Sequence, residues 1–424
     1  MEHPSAVTPP YQLKFLQAIL EQAGKAVTLL DSAVAPLSLS SDNLRRILLN
    51  RPTSGVVFDA VLGAGFKVRE LAELCASYSS AALYLGGSES EIAENRSTAQ
   101  APFTRVAGID MDIELSPFLI GREVDEGRLP LPRYSRWEMG RYNHIYPLKI
   151  AARARYGHIL ASRGCPHRCG YCTPAVRATG GFRLRTRPPE SVVEEIKLRR
   201  KEGANVALFG DDDLSASRDF LIELTERLAG QREKTPFIAH ARVDELDEGL
   251  IKRLSRAGCA MLLFGVESAM PSVLRTLKKC RDPEGWAERA EAVFGWCRKA
   301  AIRTNAMFII GSPGESAADI AGSLRLARRL SPDVMQVHFF TPYPGNRVFS
   351  QSGNERMFHS LSHYEDVEGG YSRLSAGALR EWRRRFYKTL YSTPEWRRKQ
   401  MAELPLFALM NPDVAIKLIR GALR

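Results

Sequence analysis

The chain has 424 residues, of which 44% are hydrophobic and 25% charged, an ordinary balance for a soluble globular protein of two or three domains. No stretch approaches the length of a membrane span, and no charged-then-apolar leader opens the chain, so a cytoplasmic protein with no membrane partner is expected. The formal net charge of +12 raises nucleic acid as a partner, but from Arg373 onward 12 Lys/Arg stand against 4 Asp/Glu, so most of the surplus lies in one C-terminal segment.

Residues 1–105 read as a short α/β unit. A helix over 10–23 carries Leu13, Leu16 and Leu20 on one face and ends at Gly24. A strand over 26–30 is closed by Asp31, and a helix over 42–49 follows. A strand over 55–58, a helix over 66–77 and a strand over 81–85 running into Gly86-Gly87 complete the unit. Such alternation predicts a parallel sheet. Residues 106–157 are rich in Pro and Arg, including Leu129-Pro130-Leu131-Pro132, and read as a linker.

From 158 to 345 the alternation is regular. Strands are expected over 158–162, 205–209, 236–241, 260–265, 303–310 and 334–340. Helices are expected over 189–203, 218–229, 247–257, 284–300 and 316–329. The fold class is α/β, and ligands of parallel barrels sit at the C-terminal ends of the strands. Residues 346–424 form a helical region. There Arg383, Arg384 and Arg385, then Arg397, Arg398 and Lys399, interleave with Trp382, Phe386, Tyr387 and Trp396. At helical spacing this is an amphipathic helix with buried aromatics and solvated charges, which argues against a nucleic-acid surface.

The chemistry centres on the run ASRGCPHRCGYCTP, where Cys165, Cys169 and Cys172 have the spacing C-x3-C-x2-C. Three thiolates can hold three irons of a [4Fe–4S] cube and leave the fourth iron open to a small molecule. Gly164, Pro166 and Gly170 suit a loop folded around an inorganic core. Zinc is the rival metal, with His167 as a fourth ligand, but His167 lies inside the short loop where geometry is poor. Cys75, Cys259, Cys280 and Cys297 are scattered singly, as in a reducing compartment.

Other polar groups fall at predicted strand ends. Asp211, Asp212 and Asp213 follow the second strand, where carboxylates can bind an ammonium or a polyhydroxylated molecule; Asp213 or Ser215 can instead cap the next helix. His240 and Arg242 end the third. Arg242 can hold a carboxylate by paired hydrogen bonds or pair with Asp244. His338 alternates with apolar neighbours and reads as a packed histidine.

The cysteine run and the segments after it resemble the radical S-adenosylmethionine (SAM) superfamily. Those segments are Phe264-Gly265-Val266-Glu267-Ser268, Gly311-Ser312-Pro313-Gly314-Glu315 and Thr341-Pro342-Tyr343-Pro344-Gly345. The resemblance implies a partial (β/α)6 barrel over 158–345. It also implies a [4Fe–4S] cluster on Cys165, Cys169 and Cys172 whose open iron chelates SAM. One electron, from a donor such as flavodoxin or ferredoxin, then yields a 5′-deoxyadenosyl radical. Tyr171 and the turn of Gly311, Pro313, Gly314 and Glu315 would lie beside the adenine. Arg242 would hold the SAM carboxylate, with Glu267 and Ser268 near its methionine or ribose.

Within that superfamily the chain looks most like the branch with an N-terminal cobalamin-binding domain, through residues 9–31 and Leu85-Gly86-Gly87. Two features depart from it. Only MEHPSAVT precedes the Pro9-Pro10 segment and makes no apolar strand, and no D-x-H-x-x-G is present. A reduced Rossmann-like unit that does not bind cobalamin is therefore expected. Without cobalamin the radical must complete the chemistry itself. The expected reaction is dehydration or deoxygenation of a polar small molecule of natural-product or amino-sugar type, as in an aminoglycoside radical diol-dehydratase of antibiotic biosynthesis. Asp211, Asp212, His240 and Tyr343 are the candidate catalytic groups. With cobalamin, methylation of an unactivated carbon or phosphorus is expected instead. A tRNA methylthiotransferase would carry three more cysteines near its N-terminus, and only Cys75 precedes Cys165.

Overall fold

The structure, a computed structural model, describes residues 9–31, 40–59, 65–86, 103–107, 110–142, 154–172, 183–341 and 371–394. The chain opens with α1 (Tyr11–Gln22), α2 (Ser41–Asn50), β1 (Gly55–Asp59), α3 (Gly65–Tyr78), β2 (Ala82–Gly86) and β3 (Arg105–Val106). The three strands form a parallel sheet in the order β1-β2-β3. Residues 26–30, expected as a strand, form none and leave β1 at an edge of that sheet; a strand exists only through its ladder, and these residues pair with no described strand.

Helix α1 forms where expected, but its buried face is different. Lys14, Phe15, Leu16, Ala18 and Ile19 are buried, whereas Leu13 and Leu20 are half-buried. The reason is tertiary: α1 is a wedge. Phe15 and Ile19 pack with Leu129 and Leu160, while Leu13 packs against Ala107, Met111 and Leu115. Lys14 is tolerated inside because its ammonium meets the Glu138 carboxylate. The stretch read as a linker carries α4 (Met111–Glu114), α5 (Ser116–Ile120) and α6 (Arg136–Arg141), the last started by a reciprocal Ser135/Glu138 capping box.

The larger body begins with β4 (Tyr156–Ile159). The strand expected over 158–162 is split, because after β4 the chain turns into β5 (Ser162–Arg163), which pairs antiparallel with β6 (Arg185–Thr186). The alternation continues through α7 (Pro189–Lys201), β7 (Val206–Phe209), α8 (Arg218–Ala229), β8 (Phe237–Ala241), α9 (Glu248–Ala257) and β9 (Cys259–Glu267). Then follow α10 (Pro271–Leu277), α11 (Trp286–Lys299), β10 (Arg303–Ile310), α12 (Ala317–Leu330) and β11 (Val334–Phe339). Helix starts obey local chemistry: Asp247 accepts from Leu250 N at 2.8 Å, and Ser316 and Asp319 cap α12 reciprocally.

Six strands lie parallel in the order β4-β7-β8-β9-β10-β11, which follows the chain once the separate β5–β6 pair is set aside and makes a six-stranded parallel partial barrel. Side chains alternate across it. Ile159, Phe209, Phe237, Phe264, Phe308 and Val337 face the helices, whereas Tyr156, Val206, Ile238, Met261, Leu263 and Val334 pack together on the inner face.

Helix α13 (Ala376–Tyr391) covers the last strand. Leu379, Phe386 and Leu390 are buried, and Phe386 meets Phe308 with ring centroids 5.4 Å apart. The Val337 N–H donates to the Tyr387 hydroxyl at 3.2 Å, and the Tyr391 hydroxyl donates to the Met335 carbonyl at 3.4 Å. These tyrosines therefore satisfy backbone groups of an edge strand. Arg384 and Arg385 face solvent. Trp396, Arg397, Arg398 and Lys399 lie outside the described residues.

Candidate active site

Strand β5 leads directly into the cysteine loop. Gly164 sits at φ +78°, and a Cβ there would lie 2.4 Å from the Arg183 carbonyl oxygen, so only glycine can make this turn. Cys165, Cys169 and Cys172 are in no disulfide. Cys169 is buried, with Nη1 of Arg242 3.5 Å from its sulfur. The Gly170 N–H donates to the Leu277 carbonyl at 2.6 Å, and the Cys172 N–H to the Cys169 carbonyl at 3.3 Å. Burial pushes the Cys165 thiol up to about 11, so it keeps its proton until a metal displaces it. Three thiols held in one loop fit three irons of a [4Fe–4S] cluster with one iron open. The imidazole of His167, the fourth ligand a zinc site would need, is instead engaged by carboxylates: its Nε2 lies 2.6 Å from Glu245 and 3.4 Å from Asp213.

The strand ends form the wall opposite. Asp211 is 1% exposed and accepts from Ser162 Oγ at 2.5 Å and Ala161 N at 3.1 Å, so its carboxylate ties the β4–β5 turn to β7. Asp213 accepts from Ser215. Asp212 is the accessible member of the three; enclosure by protein, then Asp211 and Asp213, push its carboxyl up to about 7. His240 continues the inner face of β8, and burial lowers its pKa, leaving a neutral ring whose Nδ1 has no partner among the described residues. His338 stands beside Ile309 in the β10–β11 register. Tyr343 lies outside the described residues.

Arg242 pairs with Asp244 through two bonds of 3.0 and 2.7 Å, as one reading of the sequence had it; the guanidinium is buried, whereas Asp244 is exposed. Its other contacts are Cys169 and the Lys279 carbonyl, at 2.6 Å from Nη2. Glu267 has the left-handed φ of +64°, rare for a non-glycine residue and common at functional sites. Its carboxylate accepts from the Tyr171 hydroxyl at 2.7 Å and the Lys279 ammonium at 3.2 Å. Gly265 leaves them room: a Cβ there would stand 2.3 Å from the Glu267 Oε1. Ser268 is fully buried and bonded to Ser323 at 3.1 Å, so its hydroxyl is engaged within the fold. In the turn after β10, Glu315 Oε2 accepts from Gly311 N at 2.6 Å and Ser312 N at 3.0 Å, and burial pushes this carboxyl up to about 7. Pro313 and Gly314 are left at the surface of that turn.

Lys279, Glu245 and Ser215 were not singled out by sequence reasoning as parts of the site, apart from a capping role for Ser215. A lysine in the pair Lys278-Lys279 reads as solvated; it is 6% exposed because Lys278, at φ +49°, turns the chain inward after α10.

A second cofactor of this kind of architecture, cobalamin, would take the C-terminal edge of the β1–β3 sheet. The described residues there include Asp59, Gly86 and Met111. Met111 fills the space over Gly86, where a Cβ would meet it within 2.3 Å, so this part of the edge is closed. Residues 60–64 and 87–102, which follow β1 and β2 in the chain, lie outside the described residues.

Residues 159–327 match the model of the radical SAM superfamily, and the chain carries a radical SAM domain, of the kind that holds a [4Fe–4S] cluster and SAM. An uncharacterized methyltransferase of Pyrococcus horikoshii is 28% identical over 229 residues, 54% of this chain and 47% of the relative. The chain thus matches about half the length of that curated relative. Among solved structures, the radical SAM methyltransferase TsrM from Kitasatospora setae, with cobalamin and a [4Fe–4S] cluster bound, superposes with a TM-score of 0.59 at 19% identity, over 80% of this chain and 70% of that one. The cobalamin-dependent radical enzyme OxsB with aqua-cobalamin bound gives 0.54 at 16% identity, over 82% of this chain and 53% of that one. The fold is shared with these two cobalamin-bound radical SAM enzymes.

Proposed function

We propose that this chain is a radical SAM methyltransferase acting on an unreactive carbon of a small polar molecule, with cobalamin as methyl carrier. The observation that carries the reading is the likeness to TsrM, which extends over 80% of the chain and so reaches beyond the barrel. The name of the Pyrococcus horikoshii relative supports it. A reducing, cytoplasmic setting and a flavodoxin- or ferredoxin-type donor fit a solvent-sensitive cluster. When bound, the cluster supplies one electron to SAM, and cobalamin supplies an activated methyl group.

The protein's own part is to hold and shield. Cys165, Cys169 and Cys172 hold three irons, and Arg242 sets a cation beside Cys169. Tyr171, Glu267 and Lys279 form a satisfied polar wall over the loop. The turn closed by Glu315 would lie beside the adenine of bound SAM. Asp212, the exposed member of the three aspartates, offers a carboxylate that accepts from a substrate amine or hydroxyl.

A second reading, dehydration or deoxygenation of an amino-sugar-like substrate without cobalamin, rests on two observations: residues 26–30 form no strand, and Met111 closes the edge over Gly86. Anaerobic reconstitution with iron and sulfide, with and without hydroxocobalamin, separates the two. Near-stoichiometric retained cobalamin and a methylated product support methyl transfer; a brown protein that retains none overturns it. In either case Cys169→Ala is expected to lose the visible absorbance and SAM cleavage together. SAM cleavage at the wild-type rate by that variant would refute the cluster assignment.

A further inference from the structure

The cysteine loop is clasped from two sides. Its second half is held by backbone and by groups already placed at the site: Gly170 on the Leu277 carbonyl, Cys169 beside Arg242, Tyr171 on Glu267. From its first half, His167 reaches to the barrel rim, to two carboxylates that come from different strand ends, Asp213 after β7 and Glu245 after β8. Asp213 is 4% exposed and Glu245 is 19% exposed in its side chain. Ser215 joins the two behind the histidine, 2.6 Å from Asp213 and 2.8 Å from Glu245, and is itself fixed by the Arg242 N–H at 3.0 Å. One hydrogen-bonded cluster thus links β7, β8 and the segment between Cys165 and Cys169, and its Ser215–Arg242 arm returns to Cys169.

We propose that His167 is a positioning residue: through Asp213 and Glu245 it locks the first half of the cysteine loop to the barrel rim and so fixes the separation of Cys165 and Cys169. A loop of three residues between two ligands has little freedom to spare, and a short hydrogen bond to a carboxylate, here from His167 to the half-buried Glu245, is of the strong kind, with the buried Asp213 carboxylate 3.4 Å away adding attraction. The pair of carboxylates also needs the histidine. Without it, two acidic groups share a mostly buried site beside the loop, which drives them apart. The proposal builds on the cluster assignment but not on methyl transfer, and holds whether or not cobalamin binds.

The test uses full-length reconstituted protein and reads cluster retention, not turnover. Iron release to a chelator is followed by absorbance for wild type, His167→Ala, Asp213→Asn/Glu245→Gln and the combination of all three, with the EPR spectrum of the reduced cluster recorded for each. Release is expected to be roughly ten- to hundredfold faster in His167→Ala, the scale of one charge-assisted bond, with an altered EPR line shape and little change in thermal midpoint. The carboxylate double variant should do the same, and the combined variant should be no worse than either, because the three residues act as one unit. Glu245→Gln alone, on the more exposed partner, is the milder variant should the others fail to fold, and should show an intermediate rate. Multiplying effects in the combined variant would overturn the lock. So would wild-type release and line shape in His167→Ala, or a stoichiometric divalent ion bound between His167, Asp213 and Glu245 in wild type. Failure of Cys169→Ala to lose the cluster would instead strike the reading on which the proposal rests.

Discussion

Asp59 ends β1 with its carboxyl pushed up to about 6, first by burial and then by Asp31 and Asp112. A carboxyl whose folded pKa lies above its unfolded value of about 3.8 takes up a proton on folding. Its contribution is therefore most favourable at low pH and is lost as pH rises from about 4 through about 6. Asp59→Asn should raise the thermal midpoint at pH 7, by roughly 1–2 kcal/mol of stability after allowing for partial exposure, and leave it unchanged near pH 4. Scanning calorimetry of both proteins across that window checks the sign; a midpoint lowered at pH 7 would refute it. At this scale the sequence was legible where a local string carries the chemistry, as in the cysteine triplet and the 311–315 turn. It was silent on Lys279 and Glu245, whose importance comes only from what the fold brings to them: Tyr171 across 108 residues and His167 across 78.

At the scale of elements, α13 shows how one pattern is divided between two tasks. Its apolar residues pack on the barrel while Tyr387 and Tyr391 answer the backbone of β11, and Arg384 and Arg385 stay in solvent. Phe386→Ala removes a fully buried ring from contact with Phe308 and should cost about 3–5 kcal/mol in chemical denaturation. Replacing Arg384 and Arg385 by Gln should cost well under 1 kcal/mol, since their pairs with Glu381 are surface ones. Equal losses from both would mean that the charged face is packed. Helical periodicity made this element readable. Periodicity failed for residues 26–30, an apolar run that pairs with no described strand although β1 is left at an edge, and for β5, a two-residue strand too short to leave a pattern.

At the scale of the molecule, the N-terminal unit reaches the cysteine loop through one buried ion-pair network. Arg163, two residues before Cys165, meets Asp112 at 2.8 and 2.6 Å and Asp110 at 3.0 Å, and Arg185 also pairs with Asp110. Arg163→Met strands the fully buried Asp112 carboxylate, Asp110 keeping Arg185, and should destabilise by about 3–5 kcal/mol, measured as the denaturation midpoint. Adding Asp112→Asn should recover part of that loss; no recovery would show that Arg163 acts through packing on Phe15 rather than through charge. By itself the sequence determined the alternation of strands and helices and the three thiols that a cluster needs, because these follow from periodicity and from ligand chemistry within short strings; the partial barrel came from the resemblance those strings carry. Only the tertiary structure decided which carboxylates are structural and which is open, that α1 wedges between both bodies, and that His167 turns from the thiols to Asp213 and Glu245. Those outcomes depend on burial and on partners distant in sequence, and no local pattern encodes either.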